Sequence, residues 1–196
     1  GTNLTSAILE GVYFQRTEDD PRPTVLVETD FSGANLRGIN LIRNETIRST
    51  FVGADLSTSN LSGTQFQNSS FRDADLSDAN LDSSEFNNSD LSGANFIRAS
   101  LHYTKFDAAQ AKDANFMEAK FYYTDLTNAV LDDSNFYGAN LGYTSLKDAS
   151  LKNANFYGAF LWNTTFEDAS LKNANFSEVT GGPVSFKEAD LPGANF

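Results

Sequence analysis

From Phe31 to Phe196 a large apolar residue recurs at every fifth position of the chain. Of the 34 positions in that series, 31 are Leu or Phe, and the exceptions are Thr46, Ala111 and Gly181. Two residues before each, 30 of the 34 positions hold Ala, Ser or Thr, and the residue between is commonly Asn or Asp. Clear copies read Ala34-Asn35-Leu36, Ala54-Asp55-Leu56, Ala74-Asp75-Leu76, Ala94-Asn95-Phe96 and Ala194-Asn195-Phe196. A period of five fits neither the 3.6 of a helix nor the 2.0 of a plain strand. It fits very short extended segments joined by tight turns. Residues two apart in a strand share a face, so the large residue and the small one before it point inward and the Asn or Asp between them points outward. The other two positions are rich in Gly, Ser, Asp and Asn, which suit turns. Small residues are needed at the inner corners because a narrow, close-packed coil has little room there.

A longer period sets the number of sides. The run from Asp148 to Phe156 recurs unchanged from Asp168 to Phe176, and Asn135 to Ala139 recurs from Asn155 to Ala159. Both offsets are 20 residues, or four pentapeptides per coil. A three-sided coil would favour an offset of 15, which is not seen. On this register Phe96, Phe116, Phe136, Phe156, Phe176 and Phe196 form one inner stack, and Phe66, Phe86 and Phe106 a shorter one. Asn95, Asn115, Asn135, Asn155, Asn175 and Asn195 form an outward ladder whose amides can hydrogen-bond along the stack. About nine coils at ~4.8 Å spacing predict a rod on the order of 45 Å long.

This pattern closely resembles the pentapeptide-repeat family, whose motif is Ala, then Asp or Asn, then Leu or Phe, then two variable residues. The resemblance spans Val25 to Phe196. It implies an all-β fold, the right-handed quadrilateral parallel β-helix, as a single domain over residues 1–196. It implies little about function, because the repeated residues are structural. Family members include cyanobacterial proteins of unknown role, thylakoid-lumen proteins, and bacterial proteins that protect DNA gyrase from quinolones or peptide toxins.

Three breaks interrupt the pattern. Leu4, Leu9 and Phe14 keep the period of five in another phase, and the main register resumes at Thr24-Val25-Leu26. One pentapeptide step plus seven extra residues joins Phe14 to Leu26, which predicts a projecting loop within residues 15–23. Its acidic tip, Glu18, Asp19 and Asp20, is a candidate contact site. The second break, Asn44 to Thr46, and the third, Val179 to Pro183, read as local distortions without a chemical motif.

Composition narrows the chemistry. The chain carries 26 acidic and 14 basic residues, a net charge of −12, which argues against direct binding to nucleic-acid phosphates. It has no cysteine, so disulfides and cysteine-ligated metals are excluded. No apolar run approaches the ~20 residues that span a bilayer, so no membrane insertion is expected. With neither a charged-then-apolar leader nor an initiator Met, the sequence reads as a processed or trimmed product. The pattern fits a monomer or an assembly, in the cytoplasm or, after loss of a leader, the periplasm or thylakoid lumen. The one histidine, His102, would have to serve any nucleophile–His–acid arrangement, with Ser100, Thr104 and Asp125 near it on the lattice. A lone surface histidine among abundant hydroxyls is a weak signal, and calcium-roll, phosphate-loop and dinucleotide motifs are missing. The expectation is therefore no enzyme, no catalytic residue, no cofactor and no metal.

One surface feature stands out. Tyr103, Tyr123 and Tyr143 are spaced by 20 and stack in one outward column, while His102, Tyr122 and Trp162 share the neighbouring column, with Phe160 close by. Tyr137 and Tyr157 form a second small stack around another corner. Consecutive solvent-facing aromatics make a ribbon suited to a protein partner. The leading expectation is a binding or scaffold protein acting through the side walls of a rigid rod. The alternative is a DNA mimic that binds topoisomerase, resembling the quinolone-resistance members and motivated by the charge, the rod and the loop. Such a mimic needs a continuous acidic stripe, whereas the acids scatter around several sides. A sugar- or ice-binding face is disfavoured, because the regular threonines Thr104, Thr124, Thr144 and Thr164 should face inward.

Overall fold

The computed structural model describes residues 2–12, 14 and 23–196. Parallel β-bridges link residues 20 apart, from Val25↔Glu45 to Asn175↔Asn195. Each bridge sits on the residue before the large apolar one. Its neighbours bond to the coils on both sides: Phe96 N–H donates to Asn115 O at 2.7 Å, and Asn115 N–H donates back to Ala94 O at 2.9 Å. A tight turn follows each apolar residue and is closed by a bond such as Ala99 N–H to Phe96 O, 3.0 Å. The third residue of the turn is left-handed, as at Asp73 (φ 56°), which explains the Gly, Asn and Asp at these positions. Four such turns make each 20-residue coil.

We number the four walls by their inward columns. The first carries Leu26, Thr46, Phe66 and so on, the second begins at Phe31, the third at Leu36 and the fourth at Leu41. The inward series is buried from Phe31 to Phe176 with Gly181 the first gap; Phe196, on the last coil, is 68% exposed because a neighbour covers only one side. Phenylalanines stack at 4.8–5.0 Å up the third wall from Phe96 to Phe176. Phe66, Phe86 and Phe106 stack on the first wall at 4.8 and 5.2 Å. A further stack, Phe31–Phe51–Phe71, occupies the second wall.

The irregular positions have physical reasons. Ala111, on the second wall, shares its coil with Phe121 on the opposite fourth wall, where the other buried residues are Leu; both are buried. The small residue makes room for the large one. The inward threonines are satisfied by carbonyls of the preceding coil: Thr104 Oγ1–H donates to Leu81 O (2.8 Å), Thr124 to Leu101 O (2.6 Å), Thr164 to Leu141 O (2.8 Å), and Thr144 to Phe121 O. Asn135, Asn155, Asn175 and Asn195 each donate from Nδ2 to the Oδ1 of the Asn one coil back, at 3.1–3.2 Å.

The N-terminal coil pairs with an offset of 27, Asn3↔Asp30 and Ile8↔Asn35, rather than 20. The seven additional residues fall between Phe14, whose N–H donates to Asn40 O ahead of Leu41 on the fourth wall, and Leu26 on the first wall. Glu18, Asp19 and Asp20 lie outside the described residues. The expected distortion at Asn44–Thr46 is not found: the coil is regular there, and Asn44 is fully buried. Its Nδ2 donates to Phe14 O and its Oδ1 accepts Thr24 N–H, both at 3.0 Å. The asparagine thus satisfies backbone groups on either side of the insertion that would otherwise be buried and unpaired. At Val179–Pro183 the turn is lost. Gly181 has φ 103°, and a Cβ there would lie 3.0 Å from Trp162 N and 3.1 Å from Leu161 N, so only glycine fits against the coil behind it.

Candidate partner-binding corner

The aromatic cluster occupies the corner between the fourth and first walls. Tyr103, Tyr123 and Tyr143 hold the left-handed turn position, with φ of 59°, 56° and 59°. Tyrosine is costly there relative to Asn or Gly. Stacking offsets part of the cost: Tyr103 and Tyr123 stack at 5.5 Å and 7°, Tyr123 and Tyr143 at 4.7 Å and 20°. Their faces are turned to one another, so they present edges and hydroxyls to solvent. Replacing all three with Asn is expected to shift stability by no more than about 1 kcal/mol, because aromatic pairs lost (~0.5–1.5 kcal/mol each) and left-handed strain relieved are of similar size. Chemical denaturation measures this directly.

Tyr122 and Trp162 lie differently. Tyr122 stands at 82° to Tyr123 and 78° to Tyr143, and its ring carbons sit 3.5 and 3.8 Å from where a Cβ of Gly142 would be. Trp162 covers Gly182 in the same way at 3.8 and 4.0 Å. Its Nε1–H donates to the Tyr143 hydroxyl at 3.3 Å. The column therefore alternates large ring and glycine, and each ring lies along the wall over the glycine of the next coil. The result is a trough: Tyr122 and Trp162 form its floor, and the edges of Tyr103, Tyr123 and Tyr143 form its side. Tyr103 is 55% exposed, Tyr123 47%, Trp162 43% and Tyr122 38%, while Tyr143 and His102 are half-buried. Phe160 flanks the floor and is also exposed. Partial burial, reinforced by Tyr123 and Tyr143, raises the Tyr122 pKa above its ordinary value of 10.0.

His102 closes the N-terminal end of the trough, edge-on to Tyr122 at 6.1 Å, and its Nδ1 is buried without a partner. Neither nearby hydroxyl serves it. Ser100 Oγ–H donates to Asp82 Oδ1 at 2.6 Å, and the Thr104 hydroxyl is turned inward to Leu81 O. The same Asp82 oxygen accepts His102 N–H at 3.0 Å. A shallow depression of about 330 Å³ begins at Asn163, the residue after Trp162, and runs across the first wall to Glu167, lined also by Thr165, Pro183 and Ser185. Another of about 280 Å³, lined by Arg43, Ser62, Gly63, Asn80 and Asp82, lies on the same corner at the opposite end. Between Asp82 and Asn163 the two corner columns hold no carboxylate, on a chain of net charge −12. The second tyrosine pair, Tyr137 and Tyr157, stacks at 5.5 Å on a different corner, apart from this cluster.

Elsewhere the carboxylates are scattered and several are paired. Arg98 holds Asp78 through two bonds of 2.8 and 2.7 Å, which lowers the Asp78 pKa. Glu28 pairs with Arg48, Glu85 with Lys105, and Asp168 with Lys147. Among the described residues no group of His, Cys, Asp and Glu is arranged to hold a metal ion, and no helix is long and apolar enough to cross a membrane.

Two solved structures similar to this chain are those of a pentapeptide repeat protein and a fluoroquinolone resistance protein. HetL, a pentapeptide repeat protein involved in heterocyst differentiation regulation in the cyanobacterium Nostoc, is 24% identical; the match covers 98% of this chain and 88% of HetL, with a TM-score of 0.45. A trypsin-treated form of QnrB1, a plasmid-mediated fluoroquinolone resistance protein, is also 24% identical, covering 88% of this chain and 91% of QnrB1 with a TM-score of 0.51. At that identity the likeness to QnrB1 concerns the fold alone. No curated protein sequence matches the chain. The model of a pentapeptide repeat region matches residues 26–96, and that of pentapeptide repeats matches 114–153 and 149–180. These spans coincide with the coils whose five-residue series fills the core, and the chain belongs to the pentapeptide-repeat family.

Proposed function

We propose that this protein is a non-enzymatic binding scaffold, a right-handed rod whose protein partner docks on the corner bearing His102, Tyr103, Tyr122, Tyr123, Tyr143 and Trp162. The observation that carries this reading is the trio of tyrosines at left-handed turn positions. At this corner other coils carry Arg43, Gly63, Ser83 and Asn163 in the same turn position, so what sets these three coils apart is an unbroken run of aromatic side chains. A rigid aromatic array loses little entropy on binding, and Tyr and Trp are favoured interface anchors. The carboxylate-free stretch also lowers the desolvation cost of covering this corner rather than another.

The test is capture of the partner from native-host extract. The Tyr103→Asn, Tyr123→Asn, Tyr143→Asn variant is expected to lose it, and an equal triple change of Asn115, Asn135 and Asn155 to Ser to retain it. Retention by the tyrosine variant, or loss by both alike, contradicts the proposal. The DNA-mimic alternative draws on the net charge, the rod shape and the loop expected within residues 15–23, and against it the ion pairs of Glu28, Asp78, Glu85 and Asp168 interrupt an acidic stripe. In a gyrase supercoiling assay with quinolone present, no protection is expected. Dose-dependent rescue at low protein excess would put the mimic first.

A further inference from the structure

We infer that the trough takes a proline-rich segment in the polyproline II conformation, flanked by basic residues at both ends. This rests on the proposal that the aromatic corner is the docking site. The recurring modes of peptide recognition narrow the occupant. A strand cannot add to this wall, because its backbone groups are paired from coil to coil, as in Leu101 N–H to Lys120 O (2.9 Å) and Tyr143 N–H to Trp162 O (2.7 Å). An amphipathic helix needs a deep groove, and this trough is one residue wide, between adjacent columns. A phosphopeptide needs an arginine cluster, and the strand column beside the floor offers one cation, Lys120. Polyproline II remains, recognised by flat aromatic faces beside hydroxyl donors.

The dimensions agree. Tyr122 and Trp162 are two coils apart, about 9.6 Å at ~4.8 Å per coil. A polyproline II helix advances ~9.3 Å in each three-residue turn. Prolines at positions i and i+3 would therefore sit on successive floor rings. The ligand's backbone carbonyls carry no internal hydrogen bonds, so they are free to accept from the hydroxyls of Tyr103, Tyr123 and Tyr143. Charge sets the ends. The middle of the corner has no carboxylate, but Asp82 lines the depression at one end and Glu167 the depression at the other. Along the rod axis those residues are about four coils apart, roughly 19 Å, the length of about six polyproline II residues, with Glu167 set across the first wall from the corner columns, within reach of a long basic side chain at that end of the ligand.

Trp162 is the single tryptophan of the chain, so intrinsic emission reports on the floor alone. The probe is a peptide of six prolines between two pairs of arginines, titrated against the full chain. The controls are a peptide of equal charge with alternating Gly and Ser in place of proline, and an uncharged β-1,4-linked hexasaccharide. A saturable shift in emission is expected with the proline peptide and at least tenfold weaker binding of the Gly-Ser peptide. Tyr122→Gly and Glu167→Gln should each weaken the proline peptide severalfold. Glycine already stands at the equivalent positions Gly142 and Gly182, so Tyr122→Gly should keep the wild-type fold and circular dichroism spectrum, with a midpoint lowered only by the ring contacts to Tyr123 and Tyr143 that it loses. No saturable response at millimolar peptide, an equal response to the Gly-Ser peptide, or a stronger one to the hexasaccharide overturns the inference. If the proline peptide fails while the tyrosine triple variant still loses its host partner, the docking corner stands and its polyproline ligand falls.

Discussion

Phe136→Ala is expected to destabilise the protein by about 3–5 kcal/mol, the range for truncating a buried phenylalanine. Phe136 is fully buried and stacks on Phe116 at 5.0 Å and on Phe156 at 4.8 Å, with Phe121 tilted against it at 5.6 Å. The cavity left by alanine cannot close by drawing the coils together. Their separation is fixed by backbone bonds on both sides, Phe136 N–H to Asn155 O at 2.7 Å and Asn135 N–H to Ala114 O at 3.0 Å. In a solenoid each coil is stabilised by its neighbours, so a defect in mid-rod weakens two coil interfaces at once. Denaturant unfolding reads the effect, and a midpoint equal to wild type would contradict the packing described here.

Ala111→Leu should restore the five-residue pattern and nevertheless destabilise, by about 1–3 kcal/mol, as overpacked cores do. The added atoms would meet Phe121 across a coil that already holds Phe116, 5.3 Å from Phe121. Phe121→Leu in the same chain should recover most of the loss, because the coil then has the Leu, Phe, Leu, Leu composition of residues 131–146. A double-mutant cycle measures this coupling. Additive effects of the two changes would mean that the opposite walls do not share one packing volume.

The fold was legible because each coil repeats one solution to one packing problem. The five-residue series named the core, and the 20-residue repeats named the stacks. What the sequence hid were positions where one residue type has two uses. Gly142 and Gly182 look like turn glycines, yet neither occupies a left-handed turn; each supplies a bed for the ring of the preceding coil. Their spacing of 20 from Tyr122 and Trp162 was a usable signal. Asn44 read as a flaw in the apolar pattern, and its role is to bond the backbone beside the N-terminal insertion. The strain at the three tyrosines was invisible until the turn position was known to be left-handed. Glu167 and Pro183, which line a depression beside Trp162, are brought together by the break at Gly181, and no periodicity foretells that.

We propose that residues needed for folding and residues needed for recognition are separate in this rod. The direct measurement is the affinity of the captured partner by titration calorimetry, with the unfolding midpoint of each variant taken in parallel. For the Tyr103→Asn, Tyr123→Asn, Tyr143→Asn variant, a loss of at least about thirtyfold in affinity is expected, the equivalent of one interface hot spot of ~2 kcal/mol, with stability within about 1 kcal/mol of wild type. Unchanged affinity, or affinity lost only in step with stability, would contradict the claim.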